Sequence, residues 1–204
     1  MTFGFISVIR HSSFVTPNFL FILARTRNLC NNYRMSQVPD SYGAFWEYIS
    51  QTQKDLLLEG DYMTNEVIRH HSYKFKDYSF LIFPYAKAYE GFLKQLFLDI
   101  GFLTRLDYIS NHLRLGKLMS PNLVGRLGER SLYIKMKKYG SEELANEVWE
   151  CWKIGRNQVF HYFPHNIKAL TFDEAEQVIS QIIKTMSDAY IQLKEKNTIE
   201  SVKS

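Results

Sequence analysis

The sequence predicts an all-α fold. Three observations carry this. Apolar residues recur every three or four positions over long stretches, capping residues open those stretches and Gly or Pro closes them, and no alternating strand pattern competes over most of the chain. At 204 residues, with 46% hydrophobic and 15% aromatic side chains, the chain can bury a core of its own and suits one domain.

The expected helices follow in chain order. From Asp40, the residues Tyr42, Phe45, Trp46, Ile49, Leu56 and Leu57 keep a helical spacing, and Gly60 is the expected C-terminal stop. Residues 61–77 are polar with interspersed aromatics and carry the adjacent pair His70 and His71; no element is assigned to them. A stronger helix carries Tyr85, Tyr89, Phe92, Leu93, Leu96, Phe97 and Ile100 on one stripe, closed by Gly101. Between Phe102 and Tyr139, repeated Gly and Pro121 predict short helices and loops, with a basic cluster at Lys135, Lys137 and Lys138. Ser141 caps the next helix, with Glu142 and Glu143 at its positive end. Its stripe of Ala145, Val148, Trp149, Trp152, Val159 and Phe163 is expected to run to Pro164, which lacks an amide hydrogen and clashes with the turn before it. Thr171 and Glu174 form a capping box before the last helix, whose apolar face is Val178, Ile179, Ile182, Ile183, Met186, Tyr190 and Leu193.

Residues 1–34 differ from the rest. They hold Arg10, Arg25, Arg27 and Arg34, no acidic residue and no sustained helical period. They are expected to be a poorly ordered N-terminal extension, with residues 35–204 forming a single helical domain. No secretory signal is clear in them. Without those four arginines the formal charge of +4 falls to zero, so any nucleic-acid site must be a local basic feature. No stretch reaches the roughly 20 apolar residues of a membrane span. Cys30 and Cys151 form no framework or metal spacing, which suits free thiols in a reducing cytoplasm. His161 and His165 are four apart, but Pro164 interrupts that spacing and no Cys or carboxylate completes a set, so no metal is expected. The glycines at 125 and 128 lack the Lys-Ser/Thr of a phosphate loop, and no G-x-S-x-G elbow is present. No cofactor is expected.

Arg156 is the residue that asks for an explanation. On an ideal helix it lies within about 20° of Ala145 and Trp149, with Trp152 one turn earlier. An arginine on such a face needs a partner or a function, unless its stem covers Trp152 while its head stays wet. His161 follows five residues later, about 140° around the helix, so the two share a site only if the last turn loosens or a second subunit joins their surfaces. By itself, a histidine there also suits the negative end of a helix. Glu90 borders the apolar face of its own helix, about 20° from Phe97, and is also placed for an i to i+4 pair with Lys94.

Arg156-Asn157-Gln158-Val159-Phe160-His161, late in an all-helical chain, resembles the R-x(4–6)-H motif of the HEPN superfamily. The segment Tyr85-Ala86-Lys87-Ala88-Tyr89-Glu90-Gly91-Phe92-Leu93-Lys94 is similar to the helix that supplies an acidic residue to that site in RNase LS-type toxins. The resemblance covers about residues 78–190, without the additional N-terminal domains of those toxins. It implies a HEPN-like antiparallel helical bundle and a metal-independent endoribonuclease, a toxin or defence effector, with Arg156, His161 and Glu90 catalytic and Asn157 binding substrate. His161 would move the proton, imidazole being the side chain suited to this near neutral pH. Arg156 would stabilise charge on the reacting phosphate. The implied partners are RNA, a second copy of the chain and an antitoxin protein. The alternative is a non-catalytic HEPN-like helical module that binds a nucleotide, RNA or a protein partner, or a plain dimerisation domain in which Arg156 and Glu90 pair structurally.

Overall fold

A computed structural model describes residues 43–195 of the chain. The expected extension at 1–34, the start of the first helix near Asp40 and Cys30 lie outside the described residues. Within them every regular element is helical.

The first expected helix is two. Helix α1 spans Gly43–Tyr48 and α2 spans Gln51–Tyr62. Ser50 breaks the run by capping α2, accepting from the Gln53 amide while the Gln53 side chain accepts from the Ser50 amide. Gly60 is not the stop that the sequence predicts. It lies inside α2, where a Cβ would sit 2.7 Å from Tyr85 Cε2 and 2.9 Å from Pro84 Cγ. Its role is close approach, not termination. The coil then widens to π geometry over Met63–Ile68, and the Arg69 amide reaches back five residues to the Thr64 carbonyl at 3.0 Å.

Helix α3, Phe83–Asp99, is the centre of the fold. Tyr85, Ala88, Tyr89, Phe92, Leu93, Leu96 and Phe97 are all buried on it. Each large apolar side chain there contributes about 1.5–3 kcal/mol by leaving water. It ends as expected at Gly101, whose φ of +74° suits only glycine without strain. Phe102 N donates to Phe97 O at 2.7 Å, Gly101 N donates to Leu98 O at 3.1 Å, and the Phe97 and Phe102 rings stack at 5.9 Å. That is a Schellman termination with its hydrophobic contact.

Short helices follow as predicted: α4 (Arg105–Ile109), α5 (Leu115–Leu118), α6 (Val124–Leu127) and α7 (Leu132–Tyr139). The basic cluster at the end of α7 is absorbed locally. Lys135 donates to Phe102 O at 2.8 Å, Lys137 pairs with Glu142 at 2.6 Å, and Lys138 lies over the Tyr139 ring.

Ser141 caps α8, Glu142–Trp152. The regular helix stops there, well before Pro164. A π-helical segment, Lys153–Gln158, carries the chain on, and the helix ends beyond it. Pro164 instead opens a short 3-10 turn, Pro164–Asn166. A close approach accompanies this change of geometry. Gly155 faces the last helix, and a Cβ on it would sit 2.9 Å from Ile182 Cδ1. Helix α9, Phe172–Tyr190, opens with the predicted Thr171–Glu174 box and buries Ile179, Ile182, Ile183 and Met186. It packs on both α3 and α8, closing the core.

Candidate active site

The site starts from buried aromatics. Tyr89 on α3 is fully buried and donates its hydroxyl to the Val148 carbonyl of α8 at 3.0 Å. This fixes the two helices side by side. Burial holds the Tyr89 phenol well above its usual pKa, so it stays a neutral donor. Trp152 packs against it with ring centroids 6.3 Å apart. Buried nearby, the Cys151 thiol is pushed up to about 12 by desolvation, which leaves it unreactive.

Arg156 extends over that platform. Its guanidinium carbon lies 5.6 Å from the Trp152 ring centroid, and its Nε lies 3.5 Å from Glu90 Oε2. The two alternatives that the sequence leaves open therefore coexist: the arginine covers the tryptophan and also meets an acidic partner. The other Glu90 oxygen takes Lys94 at 2.9 Å. With 41% and 30% of the Arg156 and Glu90 side chains exposed, the pair is worth at most about 1 kcal/mol to stability. It aims the guanidinium more than it holds the fold. The terminal nitrogens of Arg156 make no hydrogen bond among the described residues and remain free for an anion.

His161 lies past the helix, in a turn where its amide donates to Gln158 O at 3.3 Å. Its exposed side chain lines a different recess from Arg156. The Arg156 recess is lined by Phe83, Ala86, Lys87, Glu90, Arg156 and Phe160. The His161 recess is lined by Asp77, Phe80, Phe83, Phe160, Tyr162 and Asn166, among others. Both share Phe83 and Phe160, whose rings meet edge to face at 5.7 Å. One chain thus brings Glu90 to Arg156, while His161 lines a neighbouring recess that shares Phe83 and Phe160 with it. Asn157 lines neither recess, and its side chain makes no hydrogen bond among the described residues.

The sequence reading missed Asp77. Its carboxylate accepts from Ser79 N and Oγ at 2.9 and 2.6 Å, from Asn166 Nδ2 at 3.0 Å and from Leu170 N at 3.2 Å. It ties the loop before α3 to the loop after His161. Partial burial works against the charge, but these hydrogen bonds outweigh it and hold the carboxyl below its usual range. The Asp-x-Ser pattern was the available signal, since Asp side chains bond backbone two residues on. His165 and Asn166 adopt positive φ, 57° and 51°, on that same loop. Asn tolerates this conformation, and the strain at His165 is held by the surrounding bonds.

Four aromatic side chains around the His161 recess are open to solvent: Phe80 at 43%, Phe83 at 53%, Phe160 at 41% and Tyr162 at 79%. Such faces can stack on unpaired bases. Among the described residues no group of three or more His, Cys, Asp or Glu is placed to hold a metal ion, and no helix is long and apolar enough to cross a membrane. Protein-family models, curated proteins and solved structures give no match to this chain.

Proposed function

We propose that this chain is a HEPN-like, metal-independent endoribonuclease, a cytoplasmic toxin or defence effector held in check by an antitoxin protein. The observation that carries the reading is Arg156, stacked on Trp152 and met by Glu90, with its terminal donors open beside the aromatic recess of His161.

The reaction is an attack by the RNA 2′-oxygen on the adjacent phosphorus. A new O2′–P bond forms and the P–O5′ bond breaks. His161 takes the 2′-hydroxyl proton, and a second acid returns a proton to the departing 5′-oxygen. The products are a 2′,3′-cyclic phosphate and a 5′-hydroxyl. Arg156 stabilises the charge that builds on the non-bridging oxygens, and Glu90 is a positioning residue that aims it. Asn157 would contact substrate. A homodimer supplies what one chain lacks, because a second copy can place its His161 against this Arg156, with water as the acid that protonates the departing oxygen.

That Arg156 and His161 line separate recesses is also the observation that favours a second reading, a non-catalytic HEPN-like module that binds RNA, a nucleotide or a protein. Cleavage of an end-labelled RNA in EDTA separates the two. The nuclease reading expects cyclic-phosphate ends, and a fall of roughly hundredfold or more in both His161→Ala and Arg156→Ala. A folded, dimeric, antitoxin-free protein that leaves the RNA intact overturns it in favour of the binding module.

A further inference from the structure

The neutral charge of the chain beyond residue 34 is a sum of unlike parts. Residues 104–130 hold five Lys or Arg against two carboxylates, Asp107 and Glu129. The cations are Arg105, Arg114, Lys117, Arg126 and Arg130, with His112 among them. None of the five forms an ion pair among the described residues. Elsewhere several cations are matched, such as Lys94 to Glu90, Lys137 to Glu142, Lys153 to Glu150, and Lys184 to Glu147 and Asp188, and those that are not, such as Lys54 and Lys138, do not gather around one recess. Unmatched like charges on one short segment repel one another.

Three of these cations meet around a recess between α4, α5 and α6. His112, Arg114, Lys117 and Arg130 line it, with Asp107 at one wall. Asp107 is engaged by Thr104, accepting from its amide at 3.0 Å and its hydroxyl at 2.6 Å. Arg114 donates one terminal nitrogen to the Asn111 and Leu113 carbonyls at 3.1 and 3.3 Å, which fixes its guanidinium beside the loop. Its other nitrogens make no hydrogen bond among the described residues.

One helix that lines the recess, α5, packs against the tryptophan beneath Arg156. Helix α5 passes so close to Trp152 that a Cβ on Gly116 would lie 2.5 Å from its Nε1. That indole is the one Arg156 covers. Its Nε1 is buried without a hydrogen-bond partner, so Trp152 is held by packing against α5 and α3, not by a polar contact. Lys117, next to Gly116, therefore sits on a helix that abuts the platform of Arg156.

We propose that this recess binds the phosphate backbone of single-stranded RNA, holding nucleotides that flank the phosphate engaged at Arg156. The inference rests on the ribonuclease reading for its substrate. Its chemistry is that of phosphate recognition: a guanidinium fork at Arg114, a second at Arg130, which feels the Asp107 charge without forming an ion pair with it, and a point charge at Lys117.

The test is binding of a labelled single-stranded RNA 20-mer to the uncleaving His161→Ala protein across a salt series. It is repeated after adding Lys117→Gln with Arg130→Gln, and separately after adding the charge-matched control Lys54→Gln with Lys138→Gln. All four side chains project from the surface, and thermal melts check that each variant stays folded. The recess variant should bind about tenfold more weakly at low salt. Its dependence of log K on log salt should be shallower by about 1.4, roughly 0.7 for each lost phosphate contact. Equal affinity and slope in the recess and control variants would overturn the proposal. So would intact RNA binding with lost binding of poly-glutamate, which would assign the recess to an acidic protein. If the recess variant loses RNA while unaltered protein fails to cleave it in EDTA, the recess stands and the nuclease reading falls.

Discussion

Helices α3 and α8 and the segment that follows α8 are neighbours with opposite designs. In the helices, Tyr85, Tyr89, Phe92 and Phe97 are essentially inaccessible, and termini are closed by a Ser cap and a Schellman turn. In the segment 153–167 the coil changes to π geometry, two residues take positive φ, and Ile154, Phe160, Tyr162 and Ile167 are open to solvent. Arg156 and His161 both sit in the second region, and Glu90 reaches it from the first. Burial is concentrated in one region and the proposed chemistry falls in the other, as expected where functional groups occupy the less stable parts of a fold.

The sharpest way to break this contrast is to exchange its consequences. Phe92→Ala should destabilise the protein by about 3–5 kcal/mol, because it removes a fully buried ring and leaves a cavity. His161→Ala, on an exposed side chain, should change stability by less than about 0.5 kcal/mol while abolishing RNA cleavage. Urea denaturation of both variants checks this. If His161→Ala unfolds the protein as Phe92→Ala does, His161 is a structural residue and the division fails.

Gly116→Ala sharpens the comparison at the border between the regions. Its new methyl would meet the Trp152 ring, which is walled in by Tyr89 and cannot swing away as a flexible chain could. A loss of about 1–3 kcal/mol is expected from overpacking. Arg156 should lose its platform as well, so cleavage per folded molecule should fall. A melting shift with unchanged specific activity would show that Trp152 does not position Arg156.

The smallest effect is pH-dependent. Asp77 has a lower pKa in the folded protein than a free carboxyl. The stabilisation it gives the two loops is therefore complete above the unfolded value of about 3.9 and is lost as pH falls through the folded value. Amide exchange at Ser79 and Leu170, whose N–H groups bond Asp77, should speed up over that window in the wild type. In Asp77→Asn it should be fast already at neutral pH, with no such acid step. An unchanged Asn variant would show that the loops are held by other contacts, such as Tyr78 N to Leu170 O.

The regular helices were legible in the sequence because their signals are local. Thr171 with Glu174, Ser141, and Gly101 after the α3 stripe each act within one turn, and the structure keeps all three. Gly60 and Gly155 show where local reading ends. Each was decided by a side chain far along the chain, Tyr85 for one and Ile182 for the other. The π segment was illegible for the same reason, since nothing between Lys153 and Gln158 announces it. At the site, the meeting of Arg156 and Glu90 followed from two helical faces that the sequence could place. The placing of Arg156 and His161 in separate recesses did not, because it depends on how the turn after Val159 leaves the helix. The basic recess escaped notice because charge was averaged over residues that the fold sets apart.

The separate recesses frame the central proposal: Arg156 and His161 act on one phosphodiester, with the second copy bringing its imidazole to this arginine. The most direct measurement is cleavage of RNA in EDTA by a heterodimer of Arg156→Ala and His161→Ala chains, co-expressed under two affinity tags. Such a pair contains one composite site with both groups intact and one with neither. The account predicts about half of wild-type cleavage from the heterodimer and almost none from either homodimer. A heterodimer as inactive as its parents, beside an active wild type, would contradict it and place both groups of each site within a single chain.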